Sequence, residues 1–261
     1  MEQRSFIKAH GLGNDFVIID KRLPENFSLQ LSDSQICKMS DRKLGIGFDQ
    51  LIVLEPSTKA DAKMHIFNSN AGQVEACGNA TRCIASYIYM QTQNKTPKIE
   101  TVNRLLKSTV YHEHDVEVEM GKGKIIKTFD YKDLGQVVWV DVGNPHLIKF
   151  IEQKPTQDFY AKAEEVTKDL ANFPQGINLT FAYKHAHGID IITCERGVGY
   201  TQACGTASCA TAFASGKIGE TNVKMPLGDL KINVTLEGDI TMRGDCVVGN
   251  FIGIFREQDY V

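Results

Sequence analysis

The chain has 261 residues, a formal net charge of −3 and 42% hydrophobic residues. That is enough apolar material for one large core or two ordinary ones, and it excludes a disordered chain. No Lys/Arg run tracks a phosphate backbone, and no apolar run reaches the roughly 18–20 residues of a membrane span. Neither nucleic acid nor a membrane is therefore an expected partner, whereas a small, charged metabolite is.

The opening residues, 1–6, run directly into a strand-like segment with no leader pattern, which points to a cytoplasmic protein. Residues 16–20 and 51–54 are short apolar runs bounded by turn residues and read as strands, and 62–67 alternates like a half-buried strand. Residues 32–44 have a capping residue and helical spacing of Ile36, Met39 and Leu44. Residues 79–91 are small and apolar without Gly or Pro, the mark of a buried helix. Residues 99–110 and 116–120 read as strands, and Gly121-Lys122-Gly123-Lys124 breaks the pattern. A second series follows, with strands over 137–142 and 147–150 flanking Gly143-Asn144-Pro145-His146 and an amphipathic helix over 159–170. Strands over 177–182 and 188–195, a small-residue helix over 206–215, and strands over 230–236, 240–243 and 246–255 complete it. Each half thus runs strands, a helix opened by Cys-Gly, then more strands, a weak internal repeat of about 120–130 residues. The repeat puts a boundary between His112 and Gly121, with domains 1–115 and 116–248, and the last strand, about 249–261, returning to the first.

The two helix openings echo one another: Glu75-Ala76-Cys77-Gly78-Asn79-Ala80-Thr81-Arg82-Cys83 and Gln202-Ala203-Cys204-Gly205-Thr206-Ala207-Ser208-Cys209. The 7 cysteines, an odd number without CxxC or zinc-finger spacing, indicate mostly free thiols in a reducing compartment and no structural metal. A thiol titrates at roughly 8.5, and its thiolate is the useful base. A helix N-terminus, with about half a positive charge and unpaired N–H groups, favours that thiolate and equally a substrate carboxylate. Two such termini directed at one carboxylate would set a thiol on each face of the adjacent carbon, one as base and one as acid. Gly78 and Gly205 let the backbone approach a ligand, and Ala80, Ala207 and Ser208 leave room for close packing. The competing reading is that a free cysteine is a small, buried apolar residue. That is the expectation for Cys37, Cys83, Cys194, Cys209 and Cys246. For Cys77 and Cys204 both readings stand on pattern alone, and the repetition of their neighbours favours chemistry. His146, taken alone, reads as a surface histidine, and the pairs His112/His114 and His185/His187 lack the further ligands a metal needs.

Several segments, in order, resemble the signatures of the diaminopimelate epimerases, and the resemblance covers nearly the whole chain. They are His10-Gly11-Leu12-Gly13-Asn14-Asp15-Phe16, Gly45-Ile46-Gly47-Phe48-Asp49-Gln50, Cys77-Gly78-Asn79, Gly143-Asn144-Pro145-His146, and Glu195-Arg196-Gly197 followed by Ala203-Cys204-Gly205-Thr206. The resemblance implies an α/β (α+β) fold of two pseudo-symmetric domains, each a mostly antiparallel sheet or barrel wrapped around a central helix, with the active site in the cleft between them. It implies an isomerase with no pyridoxal, other cofactor or metal, converting LL-2,6-diaminopimelate to the meso form in lysine and peptidoglycan precursor synthesis. By the family pattern Cys77 and Cys204 are the base and acid, and the backbone amides of Gly78, Asn79, Gly205 and Thr206 hold the reacting carboxylate. His146 and Glu195 lie beside the reacting amino group and support the acid/base pair as further catalytic residues. Asn14, Gln50, Asn68, Asn144, Asn178 and Arg196 line the substrate site. A homodimer is also implied.

These roles make physical sense for a substrate with two amino-acid ends. Arg196 can take the far carboxylate bidentately, and Asn side chains and Glu195 can accept from its ammonium. The chain departs from the family pattern at Asn68-Ser69-Asn70-Ala71-Gly72-Gln73, which lacks two usual acids, and at Gly205-Thr206-Ala207-Ser208, where a second glycine is usual. A two-cysteine racemase of another amino acid and a noncatalytic carboxylate-binding protein of the same fold are the alternatives. The retained Arg196 and asparagines weigh against the first and both retained thiols against the second. A thiol redox protein is disfavoured by the lack of CxxC.

Overall fold

The computed structural model describes residues 3–74, 77–154 and 159–260. Met1 and Glu2 of the strand-like opening, and Glu75 and Ala76 of the first cysteine segment, lie outside the described residues. In chain order the elements are β1 (Arg4–Gly11), β2 (Asn14–Asp20), α1 (Asp33–Ser40), β3 (Gln50–Glu55), β4 (Ala62–Asn68), β5 (Gln73–Val74), α2 (Gly78–Thr92), β6 (Lys98–Glu100), β7 (Leu105–His112) and β8 (Asp115–Lys122). There follow β9 (Lys124–Asp130), β10 (Gln136–Asp141), β11 (Pro145–Ile151), α3 (Phe159–Thr167), β12 (Asn178–His185), β13 (Gly188–Glu195), β14 (Gly199–Thr201) and α4 (Gly205–Ala214). The chain ends with β15 (Gly219–Met225), β16 (Gly228–Val234), β17 (Asp239–Asp245) and β18 (Val247–Phe255). It divides into two compact units: Met1–Val118 with Gly244–Val261, and Glu119–Arg243. The fold class is α+β, dominated by strands.

In the first unit β1 pairs antiparallel with β2 and with β18. β2 runs parallel to β3, β3 antiparallel to β4, and β4 antiparallel to β5 and parallel to β6. β6–β7 and β7–β8 are antiparallel. The second unit follows the same plan. β10 pairs antiparallel with β11 and β9, β11 is parallel to β12, and β12 antiparallel to β13. β13 is antiparallel to β14 and parallel to β15, and β15–β16 and β16–β17 are antiparallel. The parallel pairs need crossovers, and α1 and α3 occupy the matching ones.

Each unit wraps its sheet around one helix. In α2 every residue from Asn79 to Ile88 is buried, and in α4 those from Ala207 to Ala212. A helix buried on all sides cannot be amphipathic, and the small Ala, Ser, Thr and Cys side chains let strands approach it closely. On the strands, alternate residues face the other way. Val17, Ile19 and Leu51 form one core with Ile36 and Met39 of α1. Leu147, Leu179 and Phe181 form its counterpart with Ala163 and Val166 of α3.

Three sequence expectations are corrected in detail. The first helix stops at Ser40 instead of continuing to residue 44. Asp41 Oδ1 accepts from the Lys43 and Leu44 amides, and Ile46 and Gly47 N–H bond back to Met39 O, so the chain folds over its own helix end. A Cβ at Gly45 would stand 2.3 Å from Lys38 O, so this closure requires glycine there. The single strand expected over 99–110 is a hairpin, because Thr101 N–H donates to Arg104 O and Glu100 pairs with Leu105. Among the cysteines, Cys37 is exposed, contrary to expectation, because Ile36 and Met39 take the buried face of α1. Cys83, Cys194, Cys209 and Cys246 are buried as expected.

Candidate active site

The shared topology brings corresponding residues to corresponding places in each unit. In the first, the β1–β2 hairpin is closed by Leu12 and Gly13, both at positive φ (52° and 77°), which presents Asn14 at the start of β2. Gln50 opens β3 beside Phe16, and Asn68 ends β4 directly opposite Gln50. In the second, Gly143 (φ 102°) turns the chain into β11, so that Asn144 and His146 sit at the strand's start. Asn178 opens β12 beside His146, and Glu195 ends β13.

Both cysteines are helix N-caps with nearly the same backbone. Cys77 caps α2 at φ −141°, ψ 116°, and Cys204 caps α4 at φ −138°, ψ 108°. Their carbonyls accept the first intrahelical bonds, from Thr81 N–H at 2.9 Å and Ser208 N–H at 3.1 Å. The N–H groups ahead of those, at Gly78 and Asn79 and at Gly205 and Thr206, therefore belong to the unpaired first turn where an anion is favoured.

In the first unit Asn14 Nδ2 lies 3.9 Å from Cys77 Sγ, and Gln50 Nε2 donates to Asn68 Oδ1 at 2.9 Å. Gln50 Oε1 is buried and has no hydrogen-bond partner among the described residues. Asn79 Oδ1 accepts from Arg82 Nη2 at 3.0 Å, and Arg82 is fully buried. The loop that departs from the family pattern is a tight turn. Asn68 N–H bonds to Gly72 O, Ala71 takes φ 64°, and Asn70 Oδ1 accepts from Gly72 N–H.

The second unit gathers its residues around His146. Nε2 of His146 lies 3.0 Å from Thr206 Oγ1, 3.2 Å from Asn144 Oδ1 and 3.4 Å from Asn178 Nδ2. Asn144 Nδ2 donates to Thr206 Oγ1 at 3.3 Å, and Thr206 Oγ1 is 3.5 Å from Cys204 Sγ. Asn178 Oδ1 accepts from the Arg196 amide, and the Arg196 guanidinium donates to Gln175 O. Glu195 Oε1 accepts from Thr201 Oγ1 at 2.6 Å. The reading of His146 as a surface residue is overturned: it has no exposed surface. Burial, with the charge of Arg196 added, brings its pKa down to about 3, so the imidazole is neutral. Burial also pushes the Cys204 thiol well above its ordinary value. Glu195 adds to that push, while the Thr206 hydroxyl and the Ala207 N–H oppose it.

The sequence did not point to Thr201, Arg82 or Met225, whose sulfur accepts from Cys204 N–H and Ser208 Oγ. Each reaches the site from a distant or unremarkable position, and only the position of Arg82 inside the first echo was a signal. Nor did it point to a charged cluster beside Asn14 and Gln50. Asp15 and Asp49 exchange backbone-to-carboxylate bonds, and Arg42 bridges the two carboxylates. Burial would raise Asp15, but Arg42, Asp49 and Lys8 outweigh it and hold the carboxyl well below the usual range. Asp49 is shifted upward, chiefly by burial. Among the described residues, no group of His, Cys, Asp and Glu could hold a metal, and no helix is long and apolar enough to cross a membrane.

Solved structures with this fold include a PhzF-family phenazine biosynthesis protein of Bacillus anthracis (TM-score 0.72, 15% identity, 98% of this chain and 100% of that one). A hydroxyproline epimerase of Agrobacterium vitis with bound trans-4-hydroxy-L-proline is another (TM-score 0.71, 12% identity, 97% and 92%). These likenesses show the fold, a sheet wrapped around a cysteine-capped helix in each unit. Sequence narrows this. The chain is similar to the diaminopimelate epimerases of Sphingopyxis alaskensis (38% identity, 92% of each chain) and a Geobacillus species (34%, covering 94% of this chain and 96% of that one). The sequence model of the family "Diaminopimelate epimerase" matches residues 6–126 and 138–248. The chain belongs to the diaminopimelate epimerase family.

Proposed function

We propose that the protein epimerises LL-2,6-diaminopimelate to the meso form by a two-base mechanism carried by Cys77 and Cys204. The observation that supports it best is the matched pair of thiols, each the N-cap of a buried helix with the same backbone conformation. One thiolate takes the α-proton, breaking the C–H bond and leaving its electron pair on carbon. The other thiol returns a proton to the opposite face, and the two sulfurs exchange protonation states. First-turn N–H groups at Gly78, Asn79, Gly205 and Thr206 hold the reacting carboxylate and stabilise the charge that spreads onto it. Burial and Glu195 raise the Cys204 thiol, which favours its protonated form. His146 and Glu195 serve the reacting amino group, and Asn14, Gln50, Asn68, Asn144, Asn178 and Arg196 bind the rest of the substrate. The chemistry uses no cofactor, and seven free thiols suit a cytoplasmic setting. The partner is a second copy of the chain, through the β18 surface, where Phe251, Ile252 and Ile254 are 89%, 66% and 61% exposed.

The test is deuterium incorporation at Cα of LL-diaminopimelate in D2O under reducing conditions. The wild type exchanges, while Cys77→Ala and Cys204→Ala lose turnover by several orders of magnitude and keep their fold by circular dichroism. No exchange in the wild type rejects the reading, and exchange of proline or histidine instead would assign a different amino-acid racemase. A variant that keeps its turnover removes that cysteine from the mechanism.

A further inference from the structure

Thr206 stands at the centre of a hydrogen-bond group whose valences can be counted. A threonine hydroxyl has one hydrogen to give and two lone pairs to fill. Asn144 Nδ2 is a donor only, and at 3.3 Å it fills one lone pair. His146 Nε2 lies against two oxygens, Asn144 Oδ1 at 3.2 Å and Thr206 Oγ1 at 3.0 Å, and further off against Asn178 Nδ2 at 3.4 Å, an amide that already donates to Pro145 O at 3.1 Å; the two nearer acceptors favour the tautomer with the hydrogen on this nitrogen. The other ring nitrogen, Nδ1, is buried with no partner among the described residues. A bare acceptor is tolerated there more readily than an N–H would be. With Nε2–H donating, both Thr206 lone pairs are taken. Among the described residues, the Thr206 hydrogen then has one remaining hydrogen-bond neighbour, Cys204 Sγ at 3.5 Å.

From this count we infer that the Thr206 hydroxyl is held as a hydrogen-bond donor to the Cys204 sulfur, a catalytic contact separate from the carboxylate-binding role of the Thr206 backbone N–H. It rests on the two-thiol reading of the site. The contact matters when the sulfur is charged. Cys204 loses its proton to the substrate carbon as the new C–H bond forms, and the electron pair of the S–H bond stays on sulfur. The hydroxyl hydrogen stays on oxygen throughout and gains a stronger, charge-assisted bond to the thiolate. Burial and Glu195 work against that thiolate, whereas Thr206 and the Ala207 N–H work for it. His146, kept neutral beside Arg196, locks the hydroxyl rotor without competing for its hydrogen.

Thr206→Val keeps the shape and the backbone N–H but removes the donor, and Thr206→Ser restores it. For Thr206→Val the expected result is a fall of about 10- to 100-fold in kcat, with KM for diaminopimelate within about two-fold of wild type. Because the substrates fix the equilibrium, kcat/KM falls by the same factor in the LL-to-meso and meso-to-LL directions. Thr206→Ser stays within about three-fold of wild type. The pH midpoint for alkylation of Cys204 by iodoacetamide, resolved by peptide mass spectrometry, moves up by about one to two units in Thr206→Val and not in Thr206→Ser. Wild-type rates in Thr206→Val, an equal loss in both variants, or an unmoved alkylation midpoint would each overturn the inference. If the wild-type protein fails to exchange diaminopimelate at all, the reading of the reaction fails, while the alkylation profile still decides the hydrogen bond.

Discussion

A histidine with no exposed surface, held beside an arginine, stays neutral far below the pH at which a free imidazole takes up a proton. For His146 the folded pKa is about 3 against an unfolded value near 6.5. Between these limits the unfolded chain binds a proton that the folded chain does not. Stability therefore rises with pH through this window and is lost as pH falls through it, by about 1.4 kcal/mol per pH unit for this one group. Urea unfolding of wild type and His146→Gln between pH 6 and 4 checks this, and the variant should show the shallower dependence by that amount. Equal slopes would mean that His146 is protonated in the native state. The same residue shows where sequence reading stops. Gly143-Asn144-Pro145-His146 is visible as a turn leading into a strand, but nothing local says that the imidazole points inward. That depends on the parallel pairing of His146 with Asn178, 32 residues away.

At the scale of elements, the positions of Asn14 and Gln50 depend on how the β1–β2 hairpin is tied to the start of β3. The tie is reciprocal: Asp15 N–H to Asp49 Oδ2 at 3.0 Å and Asp49 N–H to Asp15 O at 3.0 Å, with Arg42 across both carboxylates. Arg42 is 58% exposed at its side chain, so its ion pairs contribute little to global stability. Its loss instead loosens two residues of the proposed substrate site at once. For Arg42→Ala we expect KM for diaminopimelate to rise about 3- to 10-fold while the melting temperature moves by no more than a few degrees. Steady-state kinetics alongside thermal unfolding measure both, and an unchanged KM would separate the charged cluster from the site. Elements with a strong local signature were legible. α2 and α4 could be read from small-residue runs behind a Cys-Gly opening, and β2, β3 and β13 from short apolar runs. β9 was not, because all but one of its residues are exposed and no burial pattern marks it. α1 was over-extended because Leu44 fits the helical spacing, yet it is 90% exposed and follows a turn that Asp41 and Gly45 impose.

For the whole molecule, the internal repeat was faintly legible as a spacing between two Cys-Gly segments. Its reality lies in pairing order, which no local signal encodes. Each unit repeats an antiparallel hairpin, a parallel crossover, an antiparallel return, a buried helix and a second parallel step. That order explains why site residues scattered over the sequence fall at the same strand ends in each unit. The proposed dimer belongs to this scale as well. Phe251→Asp with Ile254→Lys should leave folding intact and shift the sedimentation coefficient from dimer to monomer. A wild-type protein that sediments as a monomer at micromolar concentration would remove β18 as the contact.

The strand β18 has another consequence, one of timing. The second unit is one uninterrupted stretch, Glu119–Arg243, whereas the first unit includes Gly244–Val261 and pairs β1 with β18 across the whole intervening length. During synthesis the second unit has all of its strands before the first has its last one. Of the two units, the one begun first is finished last, and β1 keeps an open edge until then.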